Sequence, residues 1–218
     1  MANKKNIDIP AQADVSQELD NFEAWVIENS KKILIGSVIL VVVVAVAVSV
    51  WKWIDGAEDR SRTAFASAAS LEQIETTLEK FPKGPAAAEA RIRLARMYAK
   101  AKDYTKAAAT LEAVVNDTDA AIFLRGRAAL DAAGNLELAG KSAEAIKVLA
   151  SAADNTAFDE AIRVEAAYHQ GRLFAAAKDY AAAKMAFKRA AVKNSTNKSV
   201  SFWSGLASRA MDRLPAGK

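Results

Sequence analysis

Tyr98-Ala-Lys-Ala-Lys-Asp-Tyr-Thr-Lys-Ala107-Ala-Ala-Thr-Leu111 is matched 38 residues later by Leu136-Glu-Leu-Ala-Gly-Lys-Ser-Ala-Glu-Ala145-Ile-Lys-Val-Leu149. A further 38 residues on stands Phe174-Ala-Ala-Ala-Lys-Asp-Tyr-Ala-Ala-Ala183-Lys-Met-Ala-Phe187. Each copy has a bulky residue (Tyr98, Leu136, Phe174), a short break, and then a small one (Ala107, Ala145, Ala183). Before the first break, Leu94, Ala95 and Tyr98 fall on one helical face; after it, Ala107, Leu111 and Val114 recur at helical spacing. Lys102-Asp103 is then the turn of a helical hairpin, with Asp103 placed to cap the second helix. The alanines are small where two antiparallel helices cross closely, and the bulky residues fill the other side of each crossing. Such a hairpin cannot bury its apolar face alone, so successive copies must stack.

Working outward, Phe65, Ala69, Ile74, Leu78 and Phe81 predict another helix pair, ended by Pro82 and the Gly84-Pro85 breaker. Downstream, residues 199–214 place Phe202, Trp203, Leu206 and Ala210 on one side of a predicted capping helix. The expectation is an all-α chain of about four hairpin units followed by a cap. The unit resembles the tetratricopeptide repeat, through Leu94-Ala95, Tyr98, Tyr104, Ala107, Leu111 and Val114 in one copy. Gln170-Gly171, Phe174, Tyr180, Ala183, Phe187 and Ala190 carry it in another. The middle copy departs, with Ser142 in place of the tyrosine, and the period of 38 exceeds the roughly 34 residues usual for that repeat. A tetratricopeptide-like helical-hairpin solenoid of irregular curvature is what the resemblance implies.

At the other end of the chain, Ile33 to Trp51 carries no charge and follows Lys31-Lys32. As a helix it would be about 28 Å long, close to the ~30 Å hydrocarbon core of a bilayer. Some thirty mostly polar residues precede it, and it exceeds the roughly 7–15 apolar residues of a secretory signal. Cleavage after Ala45-Val46-Ala47 would leave a strongly apolar new start, so an uncleaved anchor is expected. The organisation read is a cytoplasmic lead-in over 1–32, a transmembrane helix over 33–54 and a repeat domain over 55–218. Lys31 and Lys32 at one end, and Trp51, Lys52 and Trp53 at the other, are the expected membrane-interface residues. Val15, Leu19, Phe22 and Val26 recur at helical spacing beside Trp25. They mark either a short amphipathic helix on the cytoplasmic leaflet or the first turns of a longer helix. Charge does not decide orientation, because Lys4, Lys5, Lys31 and Lys32 are balanced by Lys52, Arg60 and Arg62.

Chemistry is scarce. With no cysteine there is neither a disulfide framework nor a thiolate metal site, and His169 is the only histidine. The net charge of +4 comes from bases mixed with acids, without the basic, aromatic-studded stripe that nucleic-acid binding wants. No nucleophile–base pair or phosphate loop is present, so neither an enzyme nor a cofactor is expected. Asp117/Asp119 and Asp159/Glu160 read as helix-start caps, and Gly134, Gly140 and Gly171 as turn or close-contact glycines. What remains is the first-helix face of the repeats, carrying Arg96, Lys100, Arg127, Leu130, Tyr168 and Arg172. Such a groove suits an acidic or extended peptide; the competing reading is ordinary solvated arginines.

An acidic lead-in, one anchor ending in Trp51-Lys52-Trp53 and a short helical array together resemble the ancillary SecYEG translocon subunit family. Phe22-Glu-Ala-Trp25 before Asn29-Ser-Lys31-Lys32 carries the likeness at residue level. The resemblance implies a single-pass bacterial inner-membrane protein with a cytoplasmic N-terminus and periplasmic repeats. Its expected partners are translocon subunits, periplasmic chaperones or client polypeptides, with no small-molecule substrate. A cell-envelope scaffold for outer-membrane assembly or division shares the architecture, as does a structural subunit acting through its anchor. The tetratricopeptide clamp for chaperone C-termini is not expected, since Ile92 and Arg96 stand at its polar positions.

Overall fold

The computed structural model describes residues 12–215, which form ten α-helices and, among the described residues, no strand. Lys4 and Lys5 lie outside the described residues, as do the side chains of Val15 and Trp53. The chain divides into two compact units at Ala57/Glu58, three residues beyond the boundary expected from sequence.

The first unit holds α1 (Gln12–Glu28) and the greater part of α2 (Ser30–Ser67). Only Asn29 interrupts them, and helical hydrogen bonds run across it: its N–H donates to the Trp25 carbonyl and its own carbonyl accepts from Ile33. The lead-in is thus close to being the first turns of a longer helix. Leu19, Phe22, Trp25 and Ile27 are all exposed on α1, with the Phe22 and Trp25 rings stacked at 6.3 Å. From Ile33 to Trp51, α2 exposes apolar side chains all round, and it is long and apolar enough to cross a membrane. The Ser37 hydroxyl donates to the Ile33 carbonyl, and the Ser49 hydroxyl to the Ala45 carbonyl at 2.8 Å. Neither serine therefore carries an unsatisfied donor into an apolar surrounding.

The second unit comprises the last turns of α2, α3 (Leu71–Lys80), α4 (Pro85–Lys100), α5 (Tyr104–Asn116), α6 (Ile122–Leu138) and α7 (Ser142–Asp154). It is completed by α8 (Glu160–Ala176), α9 (Tyr180–Ala190) and α10 (Lys198–Asp212). From α3 onward each helix packs on the next, and the first helices of successive hairpins also touch, α4 on α6, α6 on α8 and α8 on α10. The expected upstream pair exists in altered form. Its first helix is the end of α2, bearing buried Phe65, and its second is α3, bearing fully buried Ile74. Arg93 of α4 donates to the Phe65 and Ala68 carbonyls at 2.9 and 2.6 Å, satisfying orphan acceptors at the end of α2. Ala69 lies beyond that helix, in the turn before the Ser70 capping box of α3.

The repeat persists in the backbone. Lys102, Gly140 and Lys178, spaced 38 apart in sequence, all have positive φ, at 62°, 76° and 63°. Each is followed by an N–H that reaches back to the bulky residue of its copy: Asp103 to Tyr98, Lys141 to Leu136, Asp179 to Phe174, at 2.8 to 2.9 Å. These are αL terminations that satisfy the last carbonyls of α4, α6 and α8. Asp103 and Asp179 then cap the following helices through their side chains, as expected for Asp103; Lys141 provides no such cap. Ala107, Ala145 and Ala183 are all fully buried at the crossings. Two apolar clusters result, one from Phe65 to Ala132 and one from Ala108 to Ala207, with Val115 and Val148 packed against both.

Several sequence expectations are corrected. Asp117 and Asp119 lie in the loop after α5: Asp117 accepts from the Asp119 N–H and pairs with Arg91 at 3.3 Å, while α6 starts without a side-chain cap. Asp159 does cap α8. Gly140 serves a turn and Gly171 a close contact, a Cβ there falling 2.6 Å from the Phe187 ring. Gly134 serves neither, with open space where its Cβ would be. Of the expected face of α10, Trp203 and Ala210 pack against the core while Phe202 points outward, and the buried residues are Val200, Ser204 and Ala207. The small Ser204 lets α10 approach α9 closely: its hydroxyl donates to the Ala190 carbonyl at 2.8 Å and accepts from the Val192 N–H.

Candidate interaction surface

Helices α4, α6 and α8 carry the six residues predicted to line a groove, and the structure divides them into two sets. On α6 and α8 the arginines are already engaged. Arg172 forms a forked pair with Glu137, at 2.7 and 2.5 Å, across the α6/α8 seam. Arg127 reaches Glu165 at 3.4 Å and Asp131 at 3.6 Å. Tyr168 is half-buried among aromatic rings, 5.9 Å from Phe187 and 5.3 Å from Trp203, with His169 beside it. This part of the face is a neutralised polar seam closed by α10, not an open basic groove.

The electrostatics follow from that packing. The Arg172 hydrogen bond holds the Glu137 carboxyl below its usual range, outweighing the opposing effect of burial. Burial pushes Glu165 up despite the nearby Arg127. Burial also lowers His169, helped by Arg172 and Arg127 and opposed by Glu137. Elsewhere, burial and a hydrogen bond to Glu75 raise the Tyr98 hydroxyl to about 12, so this tyrosine is a fixed donor.

On α4 the picture differs. Arg96 and Lys100 are exposed and, among the described residues, have no acidic partner within 4.0 Å. Arg96 lines a groove of about 320 Å³ with Ile92, Ala99, Leu130, Gly134 and Leu138. Leu130 forms its floor, only 8% exposed and mostly part of the core, so it offers an apolar base and not a projecting contact. Leu138, missed from sequence, is 65% exposed at the rim. Its signal was present: a leucine in the last turn of α6, where the sister positions carry Lys100 and Ala176. Phe123, 67% exposed at the start of α6, was also missed.

Of the interface residues, Lys31, Lys32, Trp51 and Lys52 are exposed on α2, with Lys32 donating to Asn29 at 3.4 Å. Among the described residues no three His, Cys, Asp or Glu side chains converge as a metal site requires. Comparison of the chain with protein families, characterised proteins and solved structures gives no match.

Proposed function

We propose that this chain is a membrane-tethered protein–protein interaction module and not an enzyme. In this reading α2 crosses the bacterial inner membrane, the N-terminus is cytoplasmic, and the hairpins form a tetratricopeptide-like array in the periplasm. The protein serves there as an ancillary subunit of the Sec export translocon, linking it to periplasmic chaperones. One observation carries the proposal: a helix long and apolar enough to cross a membrane, apolar on every face over Ile33–Trp51, stands in the same chain as a stack of repeated hairpins. Tethering raises local concentration, so contacts too weak to hold a soluble partner suffice.

The test is crosslinking in the native membrane, mild-detergent purification and identification of what is retained. Translocon subunits and periplasmic chaperones are the expected result. Division or outer-membrane assembly proteins without translocon subunits would replace this reading with an envelope scaffold. Exchanging residues 15–54 for an unrelated anchor separates a third case: association lost on exchange would place recognition in the anchor and not in the repeats.

A further inference from the structure

The α4/α6 and α6/α8 seams are built from equivalent positions, 38 residues apart, yet only the second is filled. Between α6 and α8 the positions hold Leu130, Glu137, Tyr168 and Arg172; Tyr168 adds bulk, and the Arg172–Glu137 fork crosses the seam at 2.5 to 2.7 Å. Between α4 and α6 the same positions hold Ile92, Ala99, Leu130 and Gly134. The tyrosine is replaced by leucine, and both members of the ion pair are missing, glutamate by alanine and arginine by glycine. The groove of about 320 Å³ is the space those side chains would occupy.

Its lining is complementary to a definite chemistry. Ile92, Leu130 and Leu138 are apolar, and exposed Leu138 continues the surface outward. Arg96 stands at the edge without an acidic partner, and Lys100 follows one turn on. Asn135 also lines the groove, its amide N–H donating to the Asp131 carbonyl at 2.8 Å. Asp131, the one acid in the lining, lies 3.6 Å from Arg127 and is held by it. An unmatched cation beside an apolar floor calls for a ligand with a carboxylate and apolar side chains.

We infer that the α4/α6 groove binds a short extended segment of a partner protein in which an acidic residue is flanked by leucine-like side chains. The acid meets Arg96 and Lys100, and the apolar side chains cover Leu130 and Leu138. This rests on the reading of the chain as an interaction module and specifies where and what it binds.

The test uses the full chain in mild detergent and fluorescein-labelled pentapeptides, Gly-Leu-Asp-Leu-Gly against Gly-Leu-Asn-Leu-Gly and Gly-Leu-Lys-Leu-Gly, followed by anisotropy. The acidic peptide is expected to bind at least about ten-fold tighter than the lysine peptide, and Arg96→Glu to reverse that order. The decisive variant is Ala99→Glu with Gly134→Arg, which rebuilds the ion pair of the second seam inside the first. Nothing lies within 4 Å of a Cβ at Gly134, so the new side chain leaves the helix into open space. The double variant is expected to keep the helical circular dichroism, melt no lower than the parent and lose acidic-peptide binding by about ten-fold or more.

Equal binding of all three peptides, no binding by the parent, or unchanged binding by the double variant overturns the inference. Self-association of the parent that the double variant abolishes also overturns it, in favour of a second copy of the chain. Retention of translocon subunits is scored on the same variants. If they stay bound while peptides ignore the groove, the groove fails and the broader function stands. If the peptides bind as expected but no translocon subunit is retained, the groove stands and the translocon assignment fails.

Discussion

Lys102, Gly140 and Lys178 adopt the same left-handed conformation in three equivalent turns, and only the middle one is glycine. A side chain at positive φ costs about 1 kcal/mol that glycine avoids. Lys178→Gly should therefore stabilise the protein by about 0.5–1 kcal/mol in urea denaturation, the extra freedom of the unfolded chain offsetting part of the gain. The cap after that turn is unevenly used as well. Asp103 and Asp179 accept helix-start N–H groups where Lys141 has nothing to offer, and Glu144 stands three residues on. Lys141→Ser completes a capping box and should add about 1 kcal/mol by the same measurement.

His169 gives the pH test at this scale. Its folded pKa lies below its ordinary value, so the folded state binds fewer protons than the unfolded one. The sign follows: its contribution is most favourable above 6.5 and is lost as pH falls below that value. His169→Gln should lose less stability than the parent between about pH 7.5 and about pH 5.5. Protonation of Glu165, which burial favours, works in the opposite direction as pH falls.

Among the elements, periodicity exposed whatever is repeated and misplaced whatever depends on one neighbour. The three hairpins and the buried alanines at 107, 145 and 183 were legible because each follows from a spacing the chain states three times, and the cap of Asp103 because aspartate stands at two of the three turns. The end of α2 was not. The sequence reading ends the transmembrane helix at 54 and starts the repeat domain at 55, yet α2 runs on to Ser67, its last turns carrying Phe65 into the repeat core. The groove was half legible for a related reason. Sequence places Arg127 and Arg172 on the correct face, but their acidic partners lie 38 and 35 residues away on the neighbouring first helix. Only the packing distance between α6 and α8 reveals that those charges are spent.

The element-scale prediction concerns close packing. Gly171→Val places carbon against the Phe187 ring, inside a crossing that has no slack, and should cost about 1–3 kcal/mol by thermal or urea denaturation. The same change at Gly134, where space is open, should be far milder.

At the scale of the whole molecule, the boundary at Ala57/Glu58 predicts that residues 58–218 fold without the anchor. That fragment should be soluble in the absence of detergent and unfold in one cooperative transition. Starting instead at Ala69 removes Phe65 and Ala68 from the core and leaves Arg93 without its two carbonyl acceptors. The shorter fragment should be less stable by about 3–5 kcal/mol, read from the urea midpoint at constant slope.

The full chain's fate at the membrane tests the tether most directly. Spheroplasts carrying the protein with a C-terminal tag would be treated with external protease, and the membranes then extracted with alkaline carbonate. A tethered, outward-facing repeat domain predicts that the tag is lost from intact spheroplasts, while a fragment holding α1 and the apolar part of α2 stays in the carbonate-resistant pellet. A tag that survives in intact spheroplasts, or a chain that carbonate releases whole, would contradict it.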